Sequence, residues 1–273
     1  MSERAPLTDR PALDRHRARA ARDPALFLHE VARDEAQDRL AMVNRTFTAP
    51  AIVTPVPQVW DGVLPGAVTV PDTPVLDLAE GAHDLIVHAM ALHWADDPVG
   101  QLIQCRRALR PDGLLLALSP GGETLTELRA ALGQAEVEVT GGLSPRIAPM
   151  AEIRDLGALL QRAGLALPVA DSFRLTVEYD SALHLMRDLR AMGETNALAA
   201  RLRHPTRRAV LLRAAALYAE AYATPEGRVR ATAEIITLTG WAPDASQPQP
   251  LRPGSARARL ADALRTRETP LDD

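Results

Sequence analysis

Two apolar segments joined by a helical segment constrain the fold of this chain most strongly. The first runs from His83 to Trp94 and the second from Leu114 to Leu118. Each is short enough for a strand that is covered on both faces. Between them, Asp97 and Pro98 predict the start of a helix, which should end at Arg110-Pro111-Asp112-Gly113. Because such a crossover is right-handed and its strands are parallel, the sequence predicts an α/β domain.

The composition indicates a globular protein with a charge close to neutral. The chain has 273 residues, of which 47% are hydrophobic, so it can bury a substantial core. A net charge of -4 gives no overall basic field, and neither nucleic acid nor an anionic membrane is an expected partner. No apolar run reaches the ~20 residues of a transmembrane helix. The single cysteine, Cys105, excludes an internal disulfide.

Three parts are expected along the chain. Residues 1–48 predict an N-terminal helical segment, residues 49–241 an α/β domain, and residues 242–273 a C-terminal tail with a short helix near its end. A helical insertion is expected at about 180–225, before the last strand. In the N-terminal segment acids alternate with arginines and no apolar segment follows, which is not the pattern of a secretory or transit peptide. We therefore expect a cytoplasmic protein.

Several local patterns predict further elements. The arginine run of residues 15–22 is interpreted as a solvated helix face. Thr124 with Glu127 predicts a capping box and hence a helix that begins there. Further downstream, periodicity predicts a helix at 150–163, a strand at 165–179, helices at 181–192 and 206–223, and a last strand at 229–241.

The interval between Ala49 and Asp84 is short, rich in proline and poor in glycine. Strands are predicted at 51–54 and 67–70. In α/β folds that bind nucleotide-like cofactors, a glycine-rich turn after the first strand lets backbone N–H groups approach the ligand. Here that strand is followed by Thr54-Pro55-Val56-Pro57, and the next glycine is Gly62.

The residues alone assign no catalytic group. His83, His88 and His93 recur every five residues, but an odd separation in a strand places consecutive ones on opposite faces, so no metal site is expected. Ser119 is not in the pattern of a nucleophile elbow. No pair of carboxylates stands out as an acid and base. The remaining candidate is a ligand site beyond the carboxyl ends of the central strands.

Several motifs from Leu92 onward are specific enough to suggest a family. They are Leu92-His93-Trp94, Gly121-Gly122-Glu123-Thr124-Leu125, Gly141-Gly142-Leu143-Ser144-Pro145-Arg146, Met192-Gly193-Glu194-Thr195-Asn196 and Gly240-Trp241. With the central strands, they resemble class I S-adenosylmethionine-dependent methyltransferases. Within this superfamily the chain is most similar to the branch of complex I assembly factors with a methyltransferase fold, and less similar to the malonyl carrier-protein methyltransferases.

The resemblance implies a fold and a set of binding residues. The fold would be a shortened Rossmann-like class I methyltransferase fold, with a mostly parallel sheet flanked by helices. S-adenosylmethionine would be the cofactor, contacted by Asp72, Met90, His93 and Trp94. The substrate would be contacted by Gly121, Gly122, Ser144, Arg146, Glu194 and Asn196. The family's glycine-rich cofactor turn has no counterpart here, and about one strand–helix unit is missing before Asp84.

Three functions are compatible with this resemblance. The first is an S-adenosylmethionine-dependent methyltransferase-type protein that modifies a protein side chain during assembly of respiratory complex I, since this branch is linked to arginine hydroxylation of a complex I subunit. The second is a non-catalytic assembly factor that has lost the cofactor. The third is a methyltransferase for a small acid or a carrier-bound substrate. In the first two, a complex I subunit is the expected partner.

Overall fold

One six-stranded sheet organises the fold. Its strands are β1 (Pro50–Val53), β2 (Val68–Val70), β3 (His83–Ala89), β4 (Leu109–Pro120), β5 (Ala166–Tyr179) and β6 (Val229–Trp241). Their order in the sheet is β2-β1-β3-β4-β6-β5. Strands β1 to β4 are parallel to one another, and β6 is antiparallel to both β4 and β5. The predicted mixed α/β architecture is confirmed.

The protein is described by a computed structural model over residues 5–248 and 260–266. It divides into two compact units, residues 1–243 and residues 244–273. The helices of the first unit are α1 (Arg10–Ala20), α2 (Phe27–Met42), α3 (Pro98–Ala108), α4 (Thr126–Thr140), α5 (Ile153–Arg162), α6 (Ala182–Ala191) and α7 (Arg208–Tyr222). The second unit contains α8 (Leu260–Leu264), and the start of the predicted terminal helix lies outside the described residues. Within the described parts, none of the helices combines the length and apolar character that a membrane span requires.

The central strand–helix–strand unit forms as predicted. Leu85 of β3 pairs with Leu114 of β4, and the register continues to the carboxyl ends of both strands. Helix α3 begins at Pro98, because the Asp97 side chain accepts a hydrogen bond of 2.8 Å from the Gly100 N–H. Strand β4 starts at Leu109, earlier than predicted, since Leu109 pairs with His83 of β3 and residues 112 and 113 exchange backbone hydrogen bonds with Ala242, just after β6.

Both faces of the sheet are covered, which explains why its central strands are apolar throughout. On one face, Ile86 of β3 packs in a cluster with Cys105 of α3 and Leu160 of α5. On the other face, Leu85 packs in a cluster with Ala36 of α2. Side chains on successive strand residues point to opposite faces, so each central strand contributes to both clusters.

The shortening before β3 is also present in the structure. Only β1, β2 and one 3₁₀ turn, Pro57–Trp60, occupy the described chain between α2 and β3. The two strands are parallel neighbours, with Ala51 paired to Val68. The crossover that a full helix makes in longer α/β domains is therefore made here by a short, proline-bounded turn.

The predicted capping box at Thr124 is wrong. Helix α4 begins at Thr126, and its preceding residue, Leu125, has a left-handed φ of 58°. Thr124 Oγ1 donates a 3.0 Å hydrogen bond to the Glu234 carbonyl oxygen on β6. Glu127 accepts a hydrogen bond from the Thr232 hydroxyl on the same strand. Both side chains thus fasten the start of α4 to β6 instead of capping the helix.

Candidate functional site

A cavity of about 800 Å³ lies beyond the carboxyl ends of β3 and β4. Its walls come from distant parts of the chain: His16 on α1, His29 on α2, Met90 after β3, and Leu189 and Leu211 on α6 and α7. Helices α6 and α7 precede β6 in the chain, and with α4 they form a separate apolar cluster. They cover this edge of the sheet, which is where ligands bind in open α/β domains.

A partly buried carboxylate stands beside two aromatic side chains in this cavity. Trp94 Nε1 donates a 2.7 Å hydrogen bond to Glu194 Oε2, and His93 Nε2 lies 3.1 Å from the same oxygen. Within the described residues the second oxygen, Oε1, has no hydrogen bond, although Glu194 lines the cavity. This oxygen is an acceptor available to a ligand.

The electrostatics keep this carboxylate ionised. Burial alone would raise the pKa of Glu194, but His93, with help from Arg17 and the Trp94 indole, lowers it to about 2. A second histidine of the cavity, His29, is 5% exposed, and burial lowers its pKa to about 4, so it is neutral at physiological pH. The Nδ1 atoms of His29 and His93 are buried and make no hydrogen bond.

Helix α1 crosses the carboxyl edge of the sheet. The Asp72 carboxylate, 3% exposed at the end of β2, lies 3.1 Å from Arg10 Nη1 and 2.8 Å from Arg17 Nη1. Just before the helix, Thr8 Oγ1 donates a 2.9 Å hydrogen bond to the Trp94 carbonyl oxygen, beyond the end of β3. The interpretation of the arginine run as a solvated face holds for the exposed Arg15 and Arg22 but is wrong for Arg17, which is largely buried and holds α1 against the sheet.

The crevice between these strand ends does not fit S-adenosylmethionine. At the turn after β1, the Thr54 N–H donates to the Val70 carbonyl oxygen at 3.0 Å, and the Val56 N–H donates to Thr54 Oγ1 at 3.2 Å. Pro55 and Pro57 have no N–H group. The turn consequently offers no backbone donor, and Asp72 is occupied by the two arginines.

The structure places the sequence-predicted residues in two groups. Those that line the cavity are Met90, His93, Trp94, Ser144, Arg146, Glu194 and Asn196. The others are packed against protein atoms. Asp72 is bound by arginines. A Cβ atom on Gly121 would overlap the Glu234 carboxylate. A Cβ atom on Gly122 would lie 2.6 Å from Glu152 Oε1. In the structure, both glycines permit close packing of the loop after β4.

Three of the lining residues hold loops in place. Arg146 Nη2 lies 2.7 Å from Glu136 Oε1, and the Ser144 hydroxyl is 2.7 Å from the same oxygen. Arg146 is the main reason that the pKa of Glu136 falls to about 2. Asn196 Nδ2 donates a 2.9 Å hydrogen bond to the Pro145 carbonyl oxygen. The contacts with Glu136 fasten the loop before α5 to α4, and the Asn196 contact joins the same loop to the loop after α6.

The N-terminal helices supply lining residues that sequence reasoning missed. His16, Arg19, Leu28 and His29 all face the cavity. Their helices show only a weakly amphipathic pattern, and no motif marks these positions. Histidines 83, 88 and 93 have separate partners, namely the Ala49 carbonyl oxygen, Gln101 and Glu194. In the described parts, no group of three or more His, Cys, Asp or Glu side chains could hold a metal ion.

Comparisons with known proteins agree with this architecture. The "Methyltransferase domain" family matches residues 62–117, which begin after the β1 turn and include β3, α3 and most of β4. The protein "Arginine-hydroxylase NDUFAF5, mitochondrial" of Danio rerio is 39% identical over 199 residues, or 73% of this chain. Over most of its length the chain is therefore similar to NDUFAF5-type proteins, and part of it matches a methyltransferase domain. It spans 62% of the length of that NDUFAF5 relative.

Two further similarities are weaker. "Malonyl-[acyl-carrier protein] O-methyltransferase" of Laribacter hongkongensis (strain HLHK9) is 36% identical over 174 residues, covering 64% of this chain and 56% of that protein. The solved structure of the YcgJ protein from Bacillus subtilis superposes with a TM-score of 0.51 at 11% identity, covering 80% of this chain and 100% of that one. The second similarity concerns the fold alone.

Proposed function

We propose that this protein acts in the maturation of respiratory complex I, as a methyltransferase-type protein that works on a side chain of a complex I subunit. The main support is its 39% identity to an NDUFAF5 arginine hydroxylase over most of this chain. A second support is that the motif residues His93, Trp94 and Glu194 meet in one cavity.

The geometry suggests how a target side chain would be held. Glu194 Oε2 is fixed by His93 and Trp94, so Oε1 would keep a defined position and accept a hydrogen bond from an N–H or O–H group of the target. Because Glu194 stays ionised, this bond would be charge-assisted. Helices α6 and α7 would exclude water around it. Ser144, Arg146 and Asn196 would shape the substrate side through their loop contacts.

One observation favours a second candidate, a non-catalytic assembly factor. In the family, S-adenosylmethionine is the cofactor, and Asp72, Met90, His93 and Trp94 are the residues that would contact it. In this chain, however, the β1 turn has no backbone donor to offer and Asp72 is bound to Arg10 and Arg17. A protein that holds a subunit without modifying it needs no cofactor.

Complementation tests the proposed role. We would delete the gene in its source organism and measure assembled complex I on native gels together with NADH–quinone reductase activity. The wild-type gene should restore both, and Glu194→Gln should not. Glu138→Gln is the matched control, since Glu138 pairs with Arg213 on the surface, and it should restore both. Unchanged complex I in the deletion strain would refute the proposal.

Mass spectrometry of the complex I subunits separates the two candidates. A modifying protein predicts a subunit whose mass differs between the wild-type and deletion strains. A non-catalytic factor predicts equal masses and reduced assembly.

We also propose a cytoplasmic location. Cys105 is the only cysteine, and burial raises its pKa to about 12, which accords with a thiol that stays reduced. Cell fractionation with an antibody to the chain tests this location, and recovery outside the cytoplasmic fraction would contradict it.

A further inference from the structure

Two arginines line the cavity without an acidic partner. Arg19 Nη2 makes one long hydrogen bond, 3.3 Å to Thr195 Oγ1, while its Nε is buried and has no partner. Arg190 lines the same cavity and forms no ion pair within the described residues. Two other lining arginines differ, since Arg146 is paired with Glu136 and Arg201 with Asp9.

The two guanidinium groups are close enough to repel each other. Burial, and then the charge of Arg190, lower the pKa of Arg19. His16 stands beside them in the cavity wall, where burial and the nearby arginines lower its pKa as well. Arg190 is exposed, whereas the Nε atom of Arg19 is buried, so an anion bound beside them would offset two like charges of which one is partly desolvated.

The acid of the cavity does not provide that offset. Glu194 already accepts hydrogen bonds at Oε2 from the Trp94 and His93 side chains, and Arg17 lies near enough to lower its pKa. Arg19 bonds to Thr195, the residue after Glu194, and not to the Glu194 carboxylate. An anionic group could therefore approach Arg19 and Arg190 from the cavity.

The remaining walls of the cavity are largely apolar. One side is formed by packed side chains from α4, from the residue before it, and from α6 and α7, namely Leu125, Leu128, Leu132, Met186, Leu189 and Leu211. A volume of about 800 Å³ lies within the range of small-molecule sites in proteins. The site thus combines a cationic end with an apolar body.

We propose that this cavity binds an anionic amphipathic small molecule, a carboxylate or phosphate ester with an aliphatic body, whose head group contacts Arg19 and Arg190. The aliphatic part would lie against α4, α6 and α7. This inference goes beyond the proposed role in complex I maturation and does not depend on it. The ligand site lies on the β3–β4 side of the edge, whereas the crevice at β1 and β2 is closed.

Calorimetry with the purified full chain tests the proposal. The probes are dodecanoate and dodecyl phosphate below their micelle-forming concentrations, with dodecyltrimethylammonium as the cationic counterpart. The anionic probes should bind and the cationic one should not. The double variant Arg19→Gln, Arg190→Gln should weaken binding at least about tenfold. The control Arg15→Gln, Arg22→Gln makes the same change in charge at two exposed positions outside the cavity and should leave affinity unchanged.

Several outcomes would overturn this assignment. Equal binding of the cationic probe, or unchanged affinity in the double variant, would exclude a head-group site at these arginines. Flotation with phosphatidylglycerol vesicles without binding of the monomeric probes would indicate a membrane surface instead. If the double variant does not fold, Arg190→Gln alone remains informative, since Arg190 is exposed and should still reduce affinity severalfold. Failure of these tests leaves the complementation result unaffected.

Discussion

Arg17 on the first helix binds Asp72 at the end of the second strand, with 2.8 Å between Nη1 and Oδ1. Arg10, two helical turns earlier, binds the same carboxylate. The N-terminal helix is therefore part of the sheet's carboxyl edge, and it lies where an open α/β domain has its ligand crevice.

Replacement of Asp72 by asparagine should release this helix. The variant would leave the largely buried Arg17 without a charged partner and Arg10 with only the exposed Asp14, which should lower the free energy of unfolding by about 3 kcal/mol. Limited proteolysis should then cut within α1, and urea denaturation gives the free energy. Asp14→Asn is the control, because Asp14 is exposed and pairs only with Arg10, and it should change stability by less than about 0.5 kcal/mol. Equal loss in both variants would contradict the buried contact.

S-adenosylmethionine should leave the melting temperature unchanged. A ligand present at 100 times its dissociation constant would add about 2.7 kcal/mol of stability, which is a shift of several degrees for a domain of this size. We expect no shift for the wild-type chain or for Asp72→Asn, since Pro55 and Pro57 remain in the β1 turn. A shift in the wild type would show that the closed crevice has been misjudged. If only the Asp72→Asn variant shows a shift, the contact of Asp72 with Arg10 and Arg17 is what closes the crevice.

Gly121→Ala should be destabilising, whereas Gly142→Ala should be neutral. A Cβ atom on Gly121 would overlap the Glu234 carboxylate and lie 2.8 Å from Ile236 Cδ1, while nothing lies within 4 Å of one on Gly142. We expect a loss of about 1 to 3 kcal/mol for the first substitution. Thermal melts of both variants provide the measurement, and similar melting temperatures would show that the loop after β4 can move away.

Stability should fall between about pH 6 and pH 4 because of His29. Its pKa is lowered by burial from 6.5 to about 4, so in this range the unfolded chain takes up a proton that the folded chain does not. The contribution of His29 to stability is complete above 6.5, its pKa in the unfolded chain. As the pH falls below that value, the free energy of unfolding decreases by about 1.4 kcal/mol per pH unit. Urea midpoints across this range provide the measurement.

The variant His29→Gln should make this pH dependence shallower. It will not abolish it, since the pKa of His16 is shifted in the same direction. Glu194 and Glu136 contribute at lower pH, because their folded pKa values are about 2. An unchanged slope in the variant would show that His29 is not responsible.

Local sequence patterns predicted the sheet and most helices because they report burial within one element. The alternation from Phe173 to Tyr179 marked β5, and Asp97 with Pro98 marked the start of α3. The capping box failed since Thr124 and Glu127 found partners on β6, more than a hundred residues away. A motif shows which bonds a side chain can form, and the tertiary fold decides which of them it forms.

The candidate site was predictable only in part for the same reason. The motifs around Trp94 and Glu194 lie together in the structure, and both were recognised from the family resemblance. Arg19 and His29 contribute to the same cavity from helices that carry no motif. The arginine run has the composition of an exposed face, and nothing local indicates that Asp72 would draw Arg17 inward.

The turn at Pro55 and Pro57 has a consequence for nucleotide binding. Glycine at either position would restore an N–H group but leave α1 in the crevice, and removal of the arginines would leave the prolines in place. No single replacement therefore opens a nucleotide pocket. A variant with only one of the two changes would lose a structural contact or a rigid turn and would still not bind a nucleotide. A nucleotide pocket at this edge of the sheet would thus require changes in both the β1 turn and the first helix.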